Sequence, residues 1–123
     1  MTADFQHRPP DGELIEIIGK GKRLITSGCI AIPDNSSVYR DADELEYSID
    51  ELSEILLEIF NTLNPHDFVG KHPSRRRDDP KVQGLEIYEF EKNCEKFNCI
   101  IYFKFSVDYE KFRLITFRKS RKI

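Results

Sequence analysis

Residues 98–107 of this chain read Asn-Cys-Ile-Ile-Tyr-Phe-Lys-Phe-Ser-Val, and residues 113–119 read Arg-Leu-Ile-Thr-Phe-Arg-Lys. In the first segment, polar Tyr102, Lys104 and Ser106 alternate with apolar side chains, a period of two that is typical of a strand with one buried face. A short connection joins the two segments, so they are predicted to form an antiparallel hairpin. The polar row is either a site for a phosphate-bearing ligand or an ordinary solvated sheet face.

Two further elements are predicted upstream of this hairpin. A strand over about residues 85–91 extends it to an antiparallel meander. Residues 49–63 have the spacing of an amphipathic helix, whose apolar stripe is formed by Ile49, Leu52, Ile55, Leu56, Ile59, Phe60 and Leu63. Ser48 and Glu51 predict a capping box at its start, and Asn64-Pro65 is expected to end it.

The first third of the chain is less regular. Residues 1–11 are polar and contain two prolines, which predicts a flexible arm. Residues 13–18 fit a helix or a strand equally. Gly-Lys-Gly-Lys at 19–22 lacks the pattern of a phosphate-binding loop and is interpreted as a basic turn. Residues 23–32 are predicted to be a strand that stops at Pro33.

The composition is that of a single soluble domain. The 123 residues are 39% hydrophobic and 33% charged, and no apolar run approaches the roughly 18 to 20 residues that span a bilayer. The N-terminus has no signal-peptide core, so a cytoplasmic location is expected. Cysteine spacing gives no indication of zinc, and Cys29 and Cys99 are predicted to be buried. We expect no metal and no cofactor.

Charge is distributed unevenly along the chain. Residues 1–60 hold 13 Asp and Glu against 5 Lys and Arg, a balance of −8. Residues 61–123 hold 14 Lys and Arg against 9 Asp and Glu, a balance of +5. The second half can therefore attract an anionic partner, which the first half would repel.

A long polar stretch at residues 65–84 contributes much of this basic character, and loops of this length are often functional. Its Arg75-Arg76-Arg77 run can bind a polynucleotide backbone, or it can be a solvated charged loop. His66 and His72 lie in the same stretch, but neither has a partner at a metal or catalytic spacing.

A metal-free route to RNA cleavage is open to the remaining candidates, which are Lys71, Tyr102, Lys104, Arg118 and Lys119. In that reaction the 2′-hydroxyl attacks the adjacent phosphate. It needs a proton acceptor, positive charge on the phosphorane and a proton for the leaving 5′-oxygen. Lysine and arginine supply charge, and a tyrosine can transfer a proton or stack on a base.

The order of these segments resembles the motility quorum-sensing regulator (MqsR) toxins, which are mRNA interferases of the wider RelE-like group. Residues 42–45 (Ala-Asp-Glu-Leu), the helix after them and residues 63–68 (Leu-Asn-Pro-His-Asp-Phe) resemble that family's Ala-Asp-Glu-Leu, helix and Asp-Phe segment. Residues 86–88, 101–104 and 114–119 resemble its closing strands, which read Asp-Val-Tyr, Val-Tyr-Leu-Lys and Ile-Val-Ser-Phe-Lys. The likeness covers roughly residues 42–119.

The resemblance implies a small antiparallel sheet with helices, cleavage of mRNA on or off the ribosome, and a cognate antitoxin protein as partner. Under it, Tyr102 takes the place of the family's strand tyrosine and Arg118 that of its C-terminal basic residue. Lys71 lies within one residue of the family's loop lysine.

We therefore expect one α+β domain over residues 1–123. It is RelE-like, with a small antiparallel sheet of three or more strands packed against one main amphipathic helix. It is expected to act as the toxin of a type II toxin–antitoxin system, a metal-independent endoribonuclease. Tyr102 would transfer a proton or stack on a base, and Lys71, Lys104 and Arg118 would stabilise the phosphorane. The expected RNA-backbone contacts are Arg75, Arg76, Arg77 and Lys119.

Three alternatives remain open at the level of sequence. Lys104 can equally be a surface lysine whose stem covers the sheet edge. The whole domain can be a non-catalytic module that binds nucleic acid or an acidic protein through its basic face. It can also be a regulator that contacts a partner through the acidic helix 49–63 or the arm 1–11.

Overall fold

The computed structural model describes residues 9–33, 37–70, 74–75, 86–108 and 110–120. They form an α+β domain, as predicted, and none of their helices is long and apolar enough to cross a membrane. The helices are α1 (Asp11–Thr26), α2 (Val38–Leu45) and α3 (Leu52–Thr62), with short 3₁₀ turns at Ile49–Glu51 and Pro65–Asp67.

The strands are β1 (Ile30–Ala31), β2 (Ser74–Arg75), β3 (Glu86–Cys94), β4 (Cys99–Val107) and β5 (Phe112–Lys119). They form one sheet in the order β1-β5-β4-β3-β2. The predicted antiparallel meander of β3, β4 and β5 is confirmed. The predicted small antiparallel sheet is correct for these three strands, but the whole sheet is mixed, because the short β1 lies parallel to β5.

The capped helix predicted at 49–63 is confirmed as the 3₁₀ turn and α3. The Ser48 backbone N–H donates to Glu51 Oε1 at 2.9 Å, and Ser48 Oγ accepts from the Asp50 N–H at 3.2 Å. Extended backbone at Leu63 ends the helix just before Asn64-Pro65. Its apolar stripe is buried from Leu52 to Leu63 and partly buried at Ile49, as a core-facing helix requires.

The strand predicted at residues 23–32 is wrong, since α1 continues to Thr26 and only Ile30–Ala31 pairs in the sheet. The open choice at 13–18 is resolved as helix, and the turn predicted at 19–22 lies inside α1. Leu14, Ile18, Gly21 and Ile25 are buried along one face of this helix. Burial of that face outweighs the low helix propensity of its glycines.

Gly21 has a specific packing reason. A Cβ atom at this position would lie 2.9 Å from the Phe60 ring and 3.4 Å from that of Phe112, so only glycine lets α1 approach α3 and β5 this closely. The helix layer thus consists of α1 and α3 together, and the expectation of one main helix is corrected.

The core lies between this helix layer and one face of the sheet. Phe60 of α3 makes edge contacts with Phe105 and Phe112, with ring centroids 5.5 Å apart. Phe90, Phe103 and Phe105 stack side by side from β3 and β4. These rings are completely or almost completely buried, and they fix the sheet against the helices.

Two smaller expectations are also corrected. Pro9 is buried and α1 begins at Asp11, so the arm predicted over 1–11 is wrong for these residues; residues 1–8 lie outside the described part. Cys29 and Cys99 are only partly buried, whereas Cys94 is buried. Burial raises the pKa of the Cys94 thiol, although N–H groups of Phe97 and Lys96 oppose this.

Candidate functional site

A β-bulge in β5 decides which side chains share the polar face of the sheet. Lys104 pairs with Thr116 and Phe105 with Leu114, so Ile115 is the extra residue. Phe112 and Leu114 lie on the core side before the bulge, and Phe117 lies on that side after it. The bulge therefore moves Thr116 and Arg118 onto the opposite side.

A polar cleft of about 550 Å³ lies between this face and α2. The sheet contributes Tyr102, Lys104, Thr116 and Arg118 to its lining, and the α2 region contributes Ser37, Arg40, Asp41 and Glu44. We call this the α2 cleft.

Hydrogen bonds at one wall hold α2 against β5. The Ser37 hydroxyl donates to Asp41 Oδ2 at 2.9 Å and lies 3.4 Å from Thr116 Oγ1. Asp41 and Thr116 are buried, although both are polar. Val38 and Ala42 of the same helix belong to the apolar core, so α2 is anchored by apolar and polar contacts together.

Tyr102 is held from two sides within the cleft. Its hydroxyl donates to Glu89 Oε1 on β3 at 2.6 Å. The Arg118 guanidinium carbon lies 4.5 Å from the centre of its ring, a cation–π arrangement. Arg118 also donates one N–H to the Lys119 carbonyl at 3.2 Å. The guanidinium has five such donors, so most of its donors can serve a ligand.

The charges around the cleft are mixed in sign. Arg40, Lys104 and Arg118 are cationic, and Asp41 and Glu44 are carboxylates in the same lining. Glu89 adds a third carboxylate through its bond to Tyr102. Such a set can bind an anion and also hold a proton acceptor next to it, which acid–base chemistry on a phosphate ester requires.

A second tyrosine near the cleft cannot play the same part. Tyr47 packs edge-on against Phe117 and is buried. Burial, with the nearby Asp41 carboxylate, raises the pKa of Tyr47 far above its usual value. Tyr47 therefore stays a neutral phenol inside the core, and Tyr102 is the tyrosine available to a ligand in the cleft.

Three of the eight residues predicted from sequence thus come together, namely Tyr102, Lys104 and Arg118. Lys119 does not line the cleft: it pairs with Ile101, whose side chain is in the core, so it lies on the other side of the strand end. The backbone of Arg75 pairs with Glu86 at the β2 edge.

The remaining predicted residues, Lys71, Arg76 and Arg77, lie outside the described part of the chain, as does His72. His66 is exposed in the 3₁₀ turn after α3. Within the described ranges, no three His, Cys, Asp or Glu side chains are grouped closely enough to hold a metal ion.

Sequence reasoning missed Glu89, Arg40 and Glu44. Glu89 lies in the alternating segment Glu-Ile-Tyr-Glu-Phe-Glu. This alternation predicts the side of the strand that Glu89 occupies, but it does not predict the hydrogen bond to Tyr102. Arg40 and Glu44 are four residues apart on one face of α2, a helix that the apolar spacing of Val38 and Ala42 could have indicated.

Comparison of the chain with models of known protein families gave no match, and neither did a search of curated proteins.

Proposed function

We propose that this chain is a metal-independent endoribonuclease whose active site is the α2 cleft. The observation that carries the proposal is that Tyr102, Lys104 and Arg118 line one cleft, as cleavage of a phosphodiester by its own 2′-hydroxyl would require. The three side chains stand on two paired strands, where the backbone holds them rigidly.

Binding of the scissile phosphate falls to the cations of the cleft. Arg118 presents a planar guanidinium that suits two phosphate oxygens at once, and Lys104 adds a point charge. Arg40 lies on the facing helix, so the phosphate would be held from both walls. These charges are most effective on the dianionic phosphorane, which carries more negative charge than the substrate.

Proton transfer falls to Tyr102 and Lys104. Tyr102 takes the proton of the attacking 2′-hydroxyl as it passes its own phenol proton to a base or to solvent, and the Lys104 ammonium donates a proton to the leaving 5′-oxygen. The products are a 2′,3′-cyclic phosphate and a 5′-hydroxyl end. Lys119 would contact the RNA backbone, as would Arg75, Arg76 and Arg77, and Lys71 would add charge on the phosphorane.

The proposal includes a biological setting, the toxin of a type II toxin–antitoxin pair with a RelE-like fold. The resemblance of residues 42–119 to the MqsR toxins supports it, together with the helix–meander order of α3, β3, β4 and β5. Growth arrest on expression of this chain alone, relieved by a protein encoded next to it, would test this part.

The catalytic part is tested on purified protein with a long single-stranded RNA of mixed sequence in EDTA, with and without ribosomes. We expect cleavage with cyclic phosphate ends. Tyr102→Phe and Arg118→Ala should each slow it by about 100-fold or more. Arg23→Ala, an exposed arginine on α1 away from the cleft, is the matched control and should cleave normally.

Intact RNA under both conditions would refute the enzyme. Salt-dependent RNA binding without cleavage would then indicate a nucleic-acid-binding module. Absence of RNA binding would indicate a partner-binding regulator, for which the mixed charge of the cleft is also suitable.

A further inference from the structure

The hydrogen bond between Tyr102 and Glu89 determines which way Tyr102 can move a proton. A carboxylate only accepts, so the phenol O–H is the donor in this 2.6 Å contact. Its proton is directed at Glu89, and a phenol oxygen that donates its proton can also accept one. A 2′-hydroxyl entering the cleft would be such a donor.

The ring has little freedom to turn away from this arrangement. Arg118 covers its face at 4.5 Å, and Tyr102 pairs directly with Arg118 across β4 and β5. Glu89 is half-buried on β3, where its Cα pairs with that of Lys104. The phenol is thus positioned by residues on both neighbouring strands.

The other carboxylates near the cleft have different contacts. Asp41 accepts from the Ser37 hydroxyl, and Glu91 accepts from the Ser120 hydroxyl at 2.6 Å. Glu44 is exposed on α2. Glu91 is the residue that pairs with Tyr102 across β3 and β4, and Glu89 is the carboxylate that accepts the Tyr102 hydroxyl proton in a hydrogen bond.

We infer that Glu89 is the terminal base of the proposed ribonuclease and receives the proton of the 2′-hydroxyl through Tyr102. The inference rests on the proposed function and adds to it a specific proton acceptor, Glu89, which does not line the cleft. Glu89 acts through Tyr102 and is a positioning and proton-accepting residue behind it.

The step balances without any further reactant. The 2′-O–H bond breaks and its proton passes to Tyr102 Oη, while the Tyr102 proton passes to Glu89 Oε1. The O2′–P bond forms and the P–O5′ bond breaks, and the 5′-oxygen takes a proton from the Lys104 ammonium. Glu89 then releases its proton to solvent and the neutral Lys104 amine takes one from solvent, which restores both groups. The relay avoids a free tyrosinate, which is costly at neutral pH because a phenol ionises near pH 10.

The test compares Glu89→Gln with the wild type on the same RNA. The amide oxygen still accepts the Tyr102 hydrogen bond but cannot take its proton. We expect cleavage to fall by about 100-fold or more, the range of general base catalysis. Binding of an RNA with 2′-deoxyribose at the cleaved position should stay within about twofold of the wild type. Glu54→Gln, at an exposed carboxylate on α3 outside the cleft lining, is the matched control and should cleave normally.

Two further measurements separate a relay from a structural role. The Glu89→Gln/Tyr102→Phe double variant should cleave no more slowly than Tyr102→Phe alone, because each change interrupts the same proton-transfer path. A substrate with sulfur in place of the 5′-oxygen needs no proton on its leaving group. It should restore the rate of a Lys104→Ala variant and leave that of Glu89→Gln low.

Each outcome has one meaning. If the wild type cleaves and Glu89→Gln cleaves within threefold of it, the relay is overturned and the proposed function stands. If the double variant is slower than Tyr102→Phe by the full Glu89 effect, Glu89 acts independently of Tyr102 and the relay is also overturned. If the wild type leaves every RNA intact, the proposed function and the relay fall together.

Discussion

The two faces of β4 share one backbone and differ in almost everything else. On one face, Ile101, Phe103 and Phe105 are completely buried. On the other face, Tyr102 and Lys104 are half-buried and open into the α2 cleft. The aromatic face is part of the main core, whereas the Tyr102 and Lys104 side chains of the polar face line the cleft.

The two faces are nevertheless coupled through β5. The bulge at Ile115 keeps Phe117 in the core and at the same time brings Arg118 over the Tyr102 ring. Precise placement on the polar face therefore depends on the packing of the aromatic face. Substitutions that act on one face, or on the link between them, measure this dependence.

Insertion of one alanine between Thr116 and Phe117 should have the largest effect. Strict alternation after Thr116 would then turn Phe117 away from the core and Arg118 toward it. We expect the cooperative unfolding transition to be lost in urea titrations followed by circular dichroism. Ile115→Val keeps the length of the strand and should cost only about 0.5–1.5 kcal/mol. An insertion variant as stable as the wild type would show that the register of β5 after the bulge does not link the faces.

Neighbouring residues on β4 should then differ sharply in their effect on the free energy of unfolding. Phe103→Ala removes a fully buried ring and should cost about 3–5 kcal/mol. Lys104→Ala should cost less than about 1 kcal/mol, because its head group faces the cleft. Denaturant titration of both variants measures the contrast. Equal losses would contradict the division of the strand into a stabilising and a ligand-facing side.

In α1, which packs on the aromatic face, replacing Gly21 by alanine should lower the free energy of unfolding, whereas replacing Gly19 should not. Gly21→Ala places a methyl group 2.9 Å from the buried Phe60 ring and should cost about 1–3 kcal/mol. Gly19→Ala meets nothing closer than the Arg23 side chain at 3.8 Å and should stabilise α1 by up to about 1 kcal/mol. If this packing is correct, thermal unfolding should show a lower melting temperature for Gly21→Ala and a higher one for Gly19→Ala than for the wild type.

The turn between β4 and β5 should give the smallest effect, and one that depends on pH. Partial burial alone would raise the pKa of Asp108, but N–H groups of Glu110 and Lys111, with the Arg113 guanidinium, lower it below its usual value. A lowered folded-state pKa means that the ionised carboxylate stabilises the fold above its unfolded value of about 3.9. This contribution is lost as the pH falls through the folded value.

Asp108→Asn should therefore be less stable than the wild type by about 1 kcal/mol at pH 7, with the difference shrinking in acid. Urea titrations at pH 7 and near pH 3 measure this. Glu110→Gln is the control, because its exposed side chain makes no contact to the turn that the described residues show. A difference that grows in acid would contradict the assigned sign.

Local patterns in the sequence were sufficient for α3 and for the meander. Their signals, the capping box at Ser48 and the alternation of β4, act over a few residues. The same reasoning failed for α1, where two glycines and an apolar run at 23–32 favoured a turn and a strand. That segment is helical because Gly21 and Ile25 are buried in the core, where Gly21 packs against Phe60 and Phe112, residues far away in the sequence. A local sequence pattern does not predict such contacts.

In the candidate site, too, some features could be predicted from local sequence patterns and others depended on long-range packing. Alternation placed Tyr102 and Lys104 on one face, since this depends only on the period of a strand. Which partners they meet was decided by long-range packing, because the bulge sets the side of Arg118, β3 brings Glu89 to the phenol, and α2 closes the cleft. Phe112 and Leu114 are two residues apart, and Leu114 and Phe117 are three apart, which is the spacing that a bulge between the last two produces. This spacing indicates a bulge only once the core shows that all three side chains lie on one side of the sheet.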